Sequence, residues 1–321
     1  MTNNGTRLII YGGEHVARTP LASAAACWAL DLASDGKASW RCIDCSEGPQ
    51  ERVAHAQAVF DDKFVYAFGG RAGITMNEQA MNDLWMLDAS GAPGTEKWVE
   101  VVADLDKGDA PPELRSFHRM TCVGDSLYVF GGCGAEHGRL ADLHRFDLAS
   151  KTWHNLGTSL LRGRGGPNLM TFSSGKMLAA IAGFAGEETA DGHRLDISSE
   201  KWDEKLMEAE LQGLRPRSVC ISGSFPSVGV ALIFGGEVDP SDRGHEGAGA
   251  FENDVVVLDE KTGALKETIK ASDTGWPQSR GWSDGASVDD GNGKGSLYVF
   301  GGLTGDDVNP VRLDDLWRLD L

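Results

Sequence analysis

A pair of glycines follows an apolar, β-rich run six times along this chain, the fourth time as Ala-Gly. The pairs stand at positions 12–13, 69–70, 131–132, 182–183, 235–236 and 301–302. Successive pairs are about 58 residues apart, a spacing typical of proteins built from structural repeats. The chain is therefore expected to fold as a series of similar units.

Each unit contains further strand signals. After most of the glycine pairs, a polar loop leads to a second apolar run that ends in aspartate, and in four units a tryptophan follows, at Trp40, Trp98, Trp153 and Trp202. This pattern predicts four short antiparallel strands per unit, with the tryptophan packed between units. One such sheet cannot bury both faces, whereas six arranged radially can.

The sequence thus predicts an all-β fold, a six-bladed β-propeller with four-stranded antiparallel blades, as a single domain over residues 1–321. The first unit begins at its second strand and the last ends at its third. Closure of the terminal blades is therefore expected to be incomplete.

Charge and composition restrict the function. The net charge is −18, which argues against a nucleic-acid partner and against an anionic membrane surface. No run of 18 apolar residues predicts a membrane span. Several of the six cysteines lie in strand-like runs, which is typical of buried, reduced thiols and indicates a cytoplasmic protein.

The residues after the glycine pairs are the first candidates for a functional site, and we expect them in loops. Glu14 and His15 follow the first pair, Arg71 the second and Glu237 the fifth. A glycine-rich loop after the fifth pair carries Glu237, Asp239, Asp242 and His245. Carboxylates with one imidazole are the ligand set of non-haem ferrous sites, and also suit zinc or manganese. The alternative is a solvated acidic loop in an acidic protein.

A series of arginines precedes the first strand of several units, at Arg115, Arg164, Arg217 and Arg280. One arginine per blade could hold an anion by bidentate hydrogen bonds. The alternative is a structural role, in which these guanidinium groups donate hydrogen bonds to backbone carbonyl groups between blades.

The glycine-pair units resemble the kelch repeat over essentially the whole chain. Five stretches, together with the loop that begins Phe234-Gly-Gly-Glu-Val, further resemble the plant nitrile-specifier, epithiospecifier and thiocyanate-forming proteins. The stretches are Arg115-Ser-Phe-His-Arg-Met120, Arg162-Gly-Arg-Gly-Gly166, Pro216-Arg-Ser-Val219, Ser279-Arg-Gly-Trp282 and Asp314-Asp-Leu-Trp317.

This resemblance implies an Fe(II)-dependent lyase or isomerase that redirects the breakdown of a sulfur-containing, anionic small molecule into a nitrile. In that family a Glu, an Asp four residues on and a His four further hold the iron. Here Glu237 and His245 match, but Ser241 stands at the middle position. Asp239 and Asp242 are the nearest carboxylates in sequence.

The resemblance also implies substrate-binding residues. Arg71 matches the arginine that holds the substrate's sulfate, and Phe117 and Trp282 match aromatic residues of the substrate pocket. Arg115 and Arg280 are expected to assist Arg71. Apart from the resemblance, Glu14 or His15 is a candidate catalytic base.

Three other functions are known for scaffolds of this kind. A kelch module that only docks a partner protein stays an alternative, as does a metal-free sugar-acid mutarotase that uses the arginines. A galactose-oxidase-like copper enzyme is disfavoured, because all four tyrosines lie in the strands that lead to glycine pairs.

Overall fold

The computed structural model describes residues 2–3, 7–17, 19–32, 38–73, 80–272 and 274–321, with only the backbone described at Thr2, Asn3, Leu32, Ala38 and His245. These residues form antiparallel β-strands joined by turns and two short 3-10 helices, Ser23–Ala25 and Gly244–Glu246. The prediction of an all-β chain is confirmed. The chain divides into two compact units, residues 1–157 and 158–321. A single domain over 1–321 stays a prediction.

The first unit contains three blades. Blade 1 has the strand order β1-β2-β5-β6, with the hairpin β3-β4 between its second and third strands. These elements are β1 (Thr2–Asn3), β2 (Arg7–Tyr11), β3 (Glu14–Val16), β4 (Thr19–Pro20), β5 (Cys27–Leu32) and β6 (Ala38–Ile43). Blade 2 comprises β7 (Ala56–Phe60), β8 (Phe64–Arg71), β9 (Ala80–Asp88) and β10 (Lys97–Glu100).

A two-residue strand, β11 (Arg115–Ser116), pairs with both neighbouring blades. Blade 3 comprises β12 (Arg119–Val123), β13 (Ser126–Gly134), β14 (Arg139–Asp147) and β15 (Thr152–Thr158). Blade 1 corrects one expectation: the first unit does have an innermost strand, because Thr2 and Asn3 pair with Ile9 and Leu8.

The second unit contains the other three blades. Blade 4 comprises β16 (Asn168–Phe172), β17 (Met177–Phe184), β18 (Glu188–Asp196) and β19 (Lys201–Trp202). Blade 5 comprises β20 (Ile221–Phe225), β21 (Val230–Asp239), β22 (Ala250–Asp259) and β23 (Leu265–Ile269). Blade 6 has three strands among the residues that the structure describes, β24 (Asp284–Asp289), β25 (Gly295–Gly305) and β26 (Pro310–Asp320).

Five of the six glycine pairs lie inside strands, and the first lies between β2 and β3, whereas the prediction placed the residues after the pairs in loops. At all six pairs both residues have positive φ, including Ala182 at +60° and Gly183 at +111°. In blades 2 to 6 the register shifts at this point, so the pair forms a β-bulge and the strand continues beyond it. Arg71 and Glu237 therefore stand on strands β8 and β21, which fix their positions.

The hydrophobic core fills the space between neighbouring blades of one unit. In the first unit, Ile9 and Cys27 of blade 1 pack with Val65 and Leu87 of blade 2. In the second unit, a comparable cluster joins blades 4 and 5, and another joins blades 5 and 6.

The tryptophans after the third strands do not all behave as predicted. Trp98 packs on Tyr11 of blade 1 and Trp153 on Phe68 of blade 2, as the sequence predicts. Trp40 is instead 43% exposed.

Candidate functional site

Five arginines, one in each of five repeats, form bidentate ion pairs with an aspartate of the same repeat. The pairs are Arg52–Asp83, Arg115–Asp142, Arg164–Asp191, Arg217–Asp254 and Arg280–Asp315. In each case Nε donates to the carbonyl two residues earlier and Nη1 donates to the carbonyl of the first residue of the glycine pair. The arginine thereby links the loop that precedes a blade to the β-bulge inside that blade.

These contacts give the predicted arginine series a structural role. The side chains of Arg115 and Arg280 are fully buried against Asp142 and Asp315. The paired guanidinium groups hold the pKa of the aspartates below the usual range, against the opposing effect of burial. The geometry favours the structural alternative, and substrate binding by Arg115 and Arg280 stays a prediction.

The residue two positions after each of these arginines has a left-handed backbone. These residues are Ala54, Phe117, Gly166, Val219 and Trp282, with φ between 48° and 58°. They are joined by backbone hydrogen bonds within each unit: Phe117 donates to Ala54 in the first, and Val219 to Gly166 and Trp282 to Val219 in the second. The two predicted aromatic pocket residues, Phe117 and Trp282, thus occupy equivalent positions in their repeats.

Arg71 has a different environment from the five paired arginines. Its Nε donates to Ser116 Oγ at 3.1 Å, and its guanidinium carbon lies 5.2 Å from the centre of the Phe117 ring. In the described part of the chain no carboxylate pairs with it. The Cys133 thiol lies close enough for Arg71 to lower its pKa, although burial has the larger effect and raises it. The first unit therefore presents a half-buried cation, held over an aromatic ring, at the predicted position.

Glu237 is the central residue of the second unit's candidate site. It is buried, and its carboxylate accepts hydrogen bonds from the backbone N–H of Ser241 and from the indole of Trp282. Burial, with smaller contributions from the charges of Asp239 and Asp307, raises the pKa of Glu237 to about 7. The structure thus brings together two predicted residues, Glu237 and Trp282.

The structure also adds a carboxylate that the sequence did not suggest. The Ser241 hydroxyl donates a hydrogen bond to Asp307, which follows strand β25 of blade 6. Asp239 and Asp242 are both exposed. Ser241 stands where the resembling family has an aspartate. The carboxylate of Asp307, from blade 6, therefore lies beside this position.

Of the four predicted metal ligands, the structure describes the side chains of Glu237, Asp239 and Asp242. Carboxylates are chemically suitable ligands for Fe(II) or Mn(II). The described side chains include no group of three His, Cys, Asp or Glu residues placed to hold a metal. His245 lies in the 3-10 helix Gly244–Glu246, and its side chain is outside the described atoms. The four-residue set Glu237, Asp239, Asp242 and His245 stays a prediction.

Glu188 is a candidate functional residue that the sequence analysis missed. It begins strand β18 and accepts a hydrogen bond from Ser218 Oγ at 3.1 Å, while its Oε2 is buried without a partner among the described atoms. Burial raises the pKa of Glu188 to about 8, and the charge of Glu237 contributes. No motif marks Glu188, because a lone glutamate after a polar turn is common on any protein surface.

Glu14, the predicted catalytic base, is half-buried in strand β3 and its backbone pairs with Pro20. His15 beside it is exposed. Nothing in this hairpin tests the catalytic role.

Comparison with known families gives a match to a family model described as the KLHDC2/KLHL20/DRC7 kelch-repeats domain, over residues 1–236. Together with the antiparallel blades, this match confirms the predicted fold class, a kelch-type β-propeller.

No helix among the described residues is long and apolar enough to cross a membrane.

Several known proteins are similar over most of the chain. An adagio-like protein 2 from Oryza sativa is 27% identical over 331 residues, covering 97% of this chain and 47% of the rice protein. An N-(sulfonatooxy)prop-2-enimidothioate sulfolyase from Thlaspi arvense is 27% identical over 283 residues, covering 79% of this chain and 74% of that enzyme. The human leucine-zipper-like transcriptional regulator 1 is 26% identical over 284 residues, covering 84% of this chain and 29% of the human protein. The chain thus spans about half the length of the rice relative.

Proposed function

Because this chain belongs to the kelch-repeat family, and because one relative of similar extent is a sulfolyase, we propose that it is a lyase that acts on a small sulfated molecule. The name of the Thlaspi enzyme specifies a substrate with a sulfonatooxy group, which is a sulfate carried on nitrogen. We propose that this chain acts on the same class of substrate, and we propose no individual compound.

The observation that carries the proposal is the environment of Arg71. Five other arginines are neutralised by an aspartate, whereas Arg71 has only the Ser116 hydroxyl and the Phe117 ring as described side-chain partners. A guanidinium group binds sulfate oxygens through two parallel N–H groups, and its stacking on an aromatic ring limits its motion. Arg71 is therefore prepared to bind an anion and to stabilise the negative charge that develops on a departing sulfate.

We propose a metal site within the second unit, and it is treated by itself. Glu237 and His245, with a further carboxylate, would hold Fe(II), and Asp307 is better placed for this role than Asp239 or Asp242 because it contacts Ser241. When bound, the ion supplies a Lewis acid with affinity for sulfur. Trp282 orients the Glu237 carboxylate through its indole N–H.

The anion site is tested by calorimetric titration with inorganic sulfate and with an N-sulfonatooxy imidothioate. We expect wild-type protein to bind both and Arg71→Gln to lose most of the affinity. Arg162→Gln is the matched control, because Arg162 is an exposed arginine paired with Glu187. Equal affinity in the wild type and Arg71→Gln would overturn the assignment of Arg71.

The metal site is tested separately, by anaerobic Fe(II) titration of the wild type and of the Glu237→Ala, His245→Ala, Asp307→Asn and Asp239→Asn variants. We expect one ion per chain, with loss of binding in the first three variants and retention in the fourth. Sulfate release from the imidothioate, measured with and without Fe(II), then tests the lyase activity itself.

A protein-interaction module is the second candidate function. It is favoured by the matches to longer proteins, in which the aligned part is 47% of the rice protein and 29% of the human protein. Wild-type protein that binds neither sulfate nor Fe(II) would favour this candidate over the lyase.

A further inference from the structure

Glu188 stands at the beginning of strand β18, where hydrogen bonds within the second unit hold the backbone on both sides. Its backbone pairs with Phe184 across the turn that joins β17 to β18. The next residue, Thr189, accepts a hydrogen bond from the backbone N–H of Arg217 at 3.0 Å. The start of β18 therefore lies beside the segment that contains Ser218.

Ser218 brings the side chains of Glu188 and Glu237 to one face. The Ser218 hydroxyl donates a hydrogen bond to Glu188 Oε1 at 3.1 Å. The backbones of Ser218 and Glu237 form an isolated antiparallel bridge, in which each residue donates its N–H to the carbonyl oxygen of the other at 2.9 Å. Side chains of directly opposite residues in an antiparallel pair project to the same face, with Cβ atoms about 4.5–5.5 Å apart. The Glu188 carboxyl, held by Ser218, therefore lies on the face to which Glu237 also points.

One oxygen of Glu188 is available to a ligand. Oε2 is buried and has no hydrogen-bond partner among the described atoms, and no basic side chain in the described part of the chain pairs with this carboxyl. Nearly all buried polar atoms in native proteins have a hydrogen-bond partner, because leaving one without a partner is costly. Oε2 is therefore an open hydrogen-bonding position on the same face as Glu237.

We propose that Glu188 Oε2 binds a hydroxyl group on the side chain of the substrate, and that Glu188 thereby selects substrates that carry one. This inference rests on the proposed lyase function, because it names a feature of the substrate for the same site. Glu188 determines specificity and takes no part in making or breaking bonds. Ser218 is its positioning residue, through the hydrogen bond to Oε1.

A hydroxyl group fits this position better than a charged group does. It both donates and accepts hydrogen bonds, so it can pair with Oε2 whether Glu188 is protonated or ionised. Burial, with a smaller contribution from the charge of Glu237, raises the pKa of Glu188 to about 8. The carboxyl is therefore mainly protonated near neutral pH and does not require a cation, while a negative charge on Glu237 disfavours an anion.

The test compares matched pairs of N-sulfonatooxy imidothioates by calorimetric titration near neutral pH. In each pair, one compound carries a hydroxyl group on a given carbon of its side chain and the other carries hydrogen there. Successive pairs move the hydroxyl group along the side chain. We expect the wild type to bind one hydroxylated compound about tenfold more tightly than its deoxy partner, because only the hydroxyl group gives Oε2 a hydrogen bond.

Four variants assign this preference to a residue. Glu188→Leu removes both oxygens at similar size and should bind the two compounds equally, whereas Glu188→Gln keeps an oxygen and an N–H group and should retain most of the preference. Ser218→Ala should weaken the preference, because Glu188 loses its positioning hydrogen bond. Glu187→Leu is the matched control at the exposed neighbouring position and should behave as the wild type. Thermal unfolding of each variant shows that it is folded.

The outcomes separate this inference from the lyase function. Wild-type protein that binds the compounds without any preference would overturn the inference and leave the lyase function standing. An undiminished preference in Glu188→Leu would remove the assignment to Glu188, and Ser218→Ala serves the same purpose if Glu188→Leu does not fold. Wild-type protein that binds none of the compounds would overturn the lyase function and the inference with it.

Discussion

Arg217 and Asp254 form an ion pair in which both side chains are almost completely buried, at 1% and 2% exposure, with Nη1 and Oδ1 2.7 Å apart. The same arrangement recurs in four other repeats, but there the aspartate is 22% to 39% exposed. Breaking the blade 5 pair is therefore the sharpest test of what these pairs contribute.

Replacement of Asp254 by alanine should destabilise the protein by about 3–5 kcal/mol, because it leaves Arg217 charged and buried without its partner. The measurement is urea unfolding. The matched control is Glu187→Ala, which breaks the exposed pair with Arg162 and should change stability by about 0–1 kcal/mol. A small effect at both positions would contradict a structural role for the buried pair.

Acid should destabilise the protein through the paired aspartates. Their native pKa values lie below the ordinary value of 3.8, so the stability they provide is complete above 3.8 and is lost as the pH falls through the lowered native values. Thermal unfolding followed from about pH 6 down to about pH 2 should show a falling Tm. The decline should be shallower in Asp254→Ala, which has one titrating pair fewer, and an identical slope would contradict the argument.

Glu188 should have the opposite effect on the pH dependence of stability, because it should destabilise the protein as the pH rises. Its pKa is about 8 in the native protein and ordinarily 4.5, so the native state favours the protonated carboxyl and loses stability as the pH rises between these values. Glu188→Gln mimics the protonated form and should flatten this part of the stability profile. Glu187→Gln, a change in the neighbouring exposed residue, should leave the profile as in the wild type.

Two substitutions at equivalent positions of the glycine pairs should have different effects on stability. Gly235→Ala would place a Cβ 2.8 Å from the carbonyl oxygen of Arg280, at φ +63°, and should destabilise the protein by about 1–3 kcal/mol. Ala182 already occupies the equivalent position at φ +60°, so Ala182→Gly relieves strain and should leave stability unchanged or increased by up to about 1 kcal/mol. Urea unfolding of both variants compares them directly.

Phe117 should contribute to anion binding through Arg71. Phe117→Leu removes the aromatic ring under the guanidinium group and should weaken sulfate binding by about 0.5–1 kcal/mol, while Arg71 itself remains. Val219→Leu, at the equivalent left-handed position in another repeat, is the control and should bind sulfate as the wild type does.

Much of the fold could be predicted from the sequence. The glycine pairs indicated the repeats, the runs before them indicated strands, and the family and fold class were confirmed. The first blade was predicted without its innermost strand, because Thr2 and Asn3 carry no apolar pattern and are recruited only by pairing with β2. The residues after the glycine pairs were placed in loops, because a bulge and a turn have the same glycine signal.

The candidate site was predictable only in part. Arg71 beside Phe117, and Glu237 beside Trp282, are associations of residues that the resemblance had singled out. Glu188 and Asp307 were missed, because each reaches the site from a different blade than Glu237 and no local motif signals that contact.

By itself the sequence determined the repeat, because the left-handed backbone favours glycine, and a glycine pair therefore recurs in five of the six repeats. The partners of the charged groups were decided only by the tertiary structure. Both the arginine series and the aspartates within the third strands are visible in the sequence, 27 to 37 positions apart. Whether such an arginine faces a ligand or an aspartate depends on burial, and burial is a property of the packed blades. For this reason five similar arginines are paired internally with aspartates, while Arg71 has no carboxylate partner among the described residues and is the arginine for which we propose anion binding.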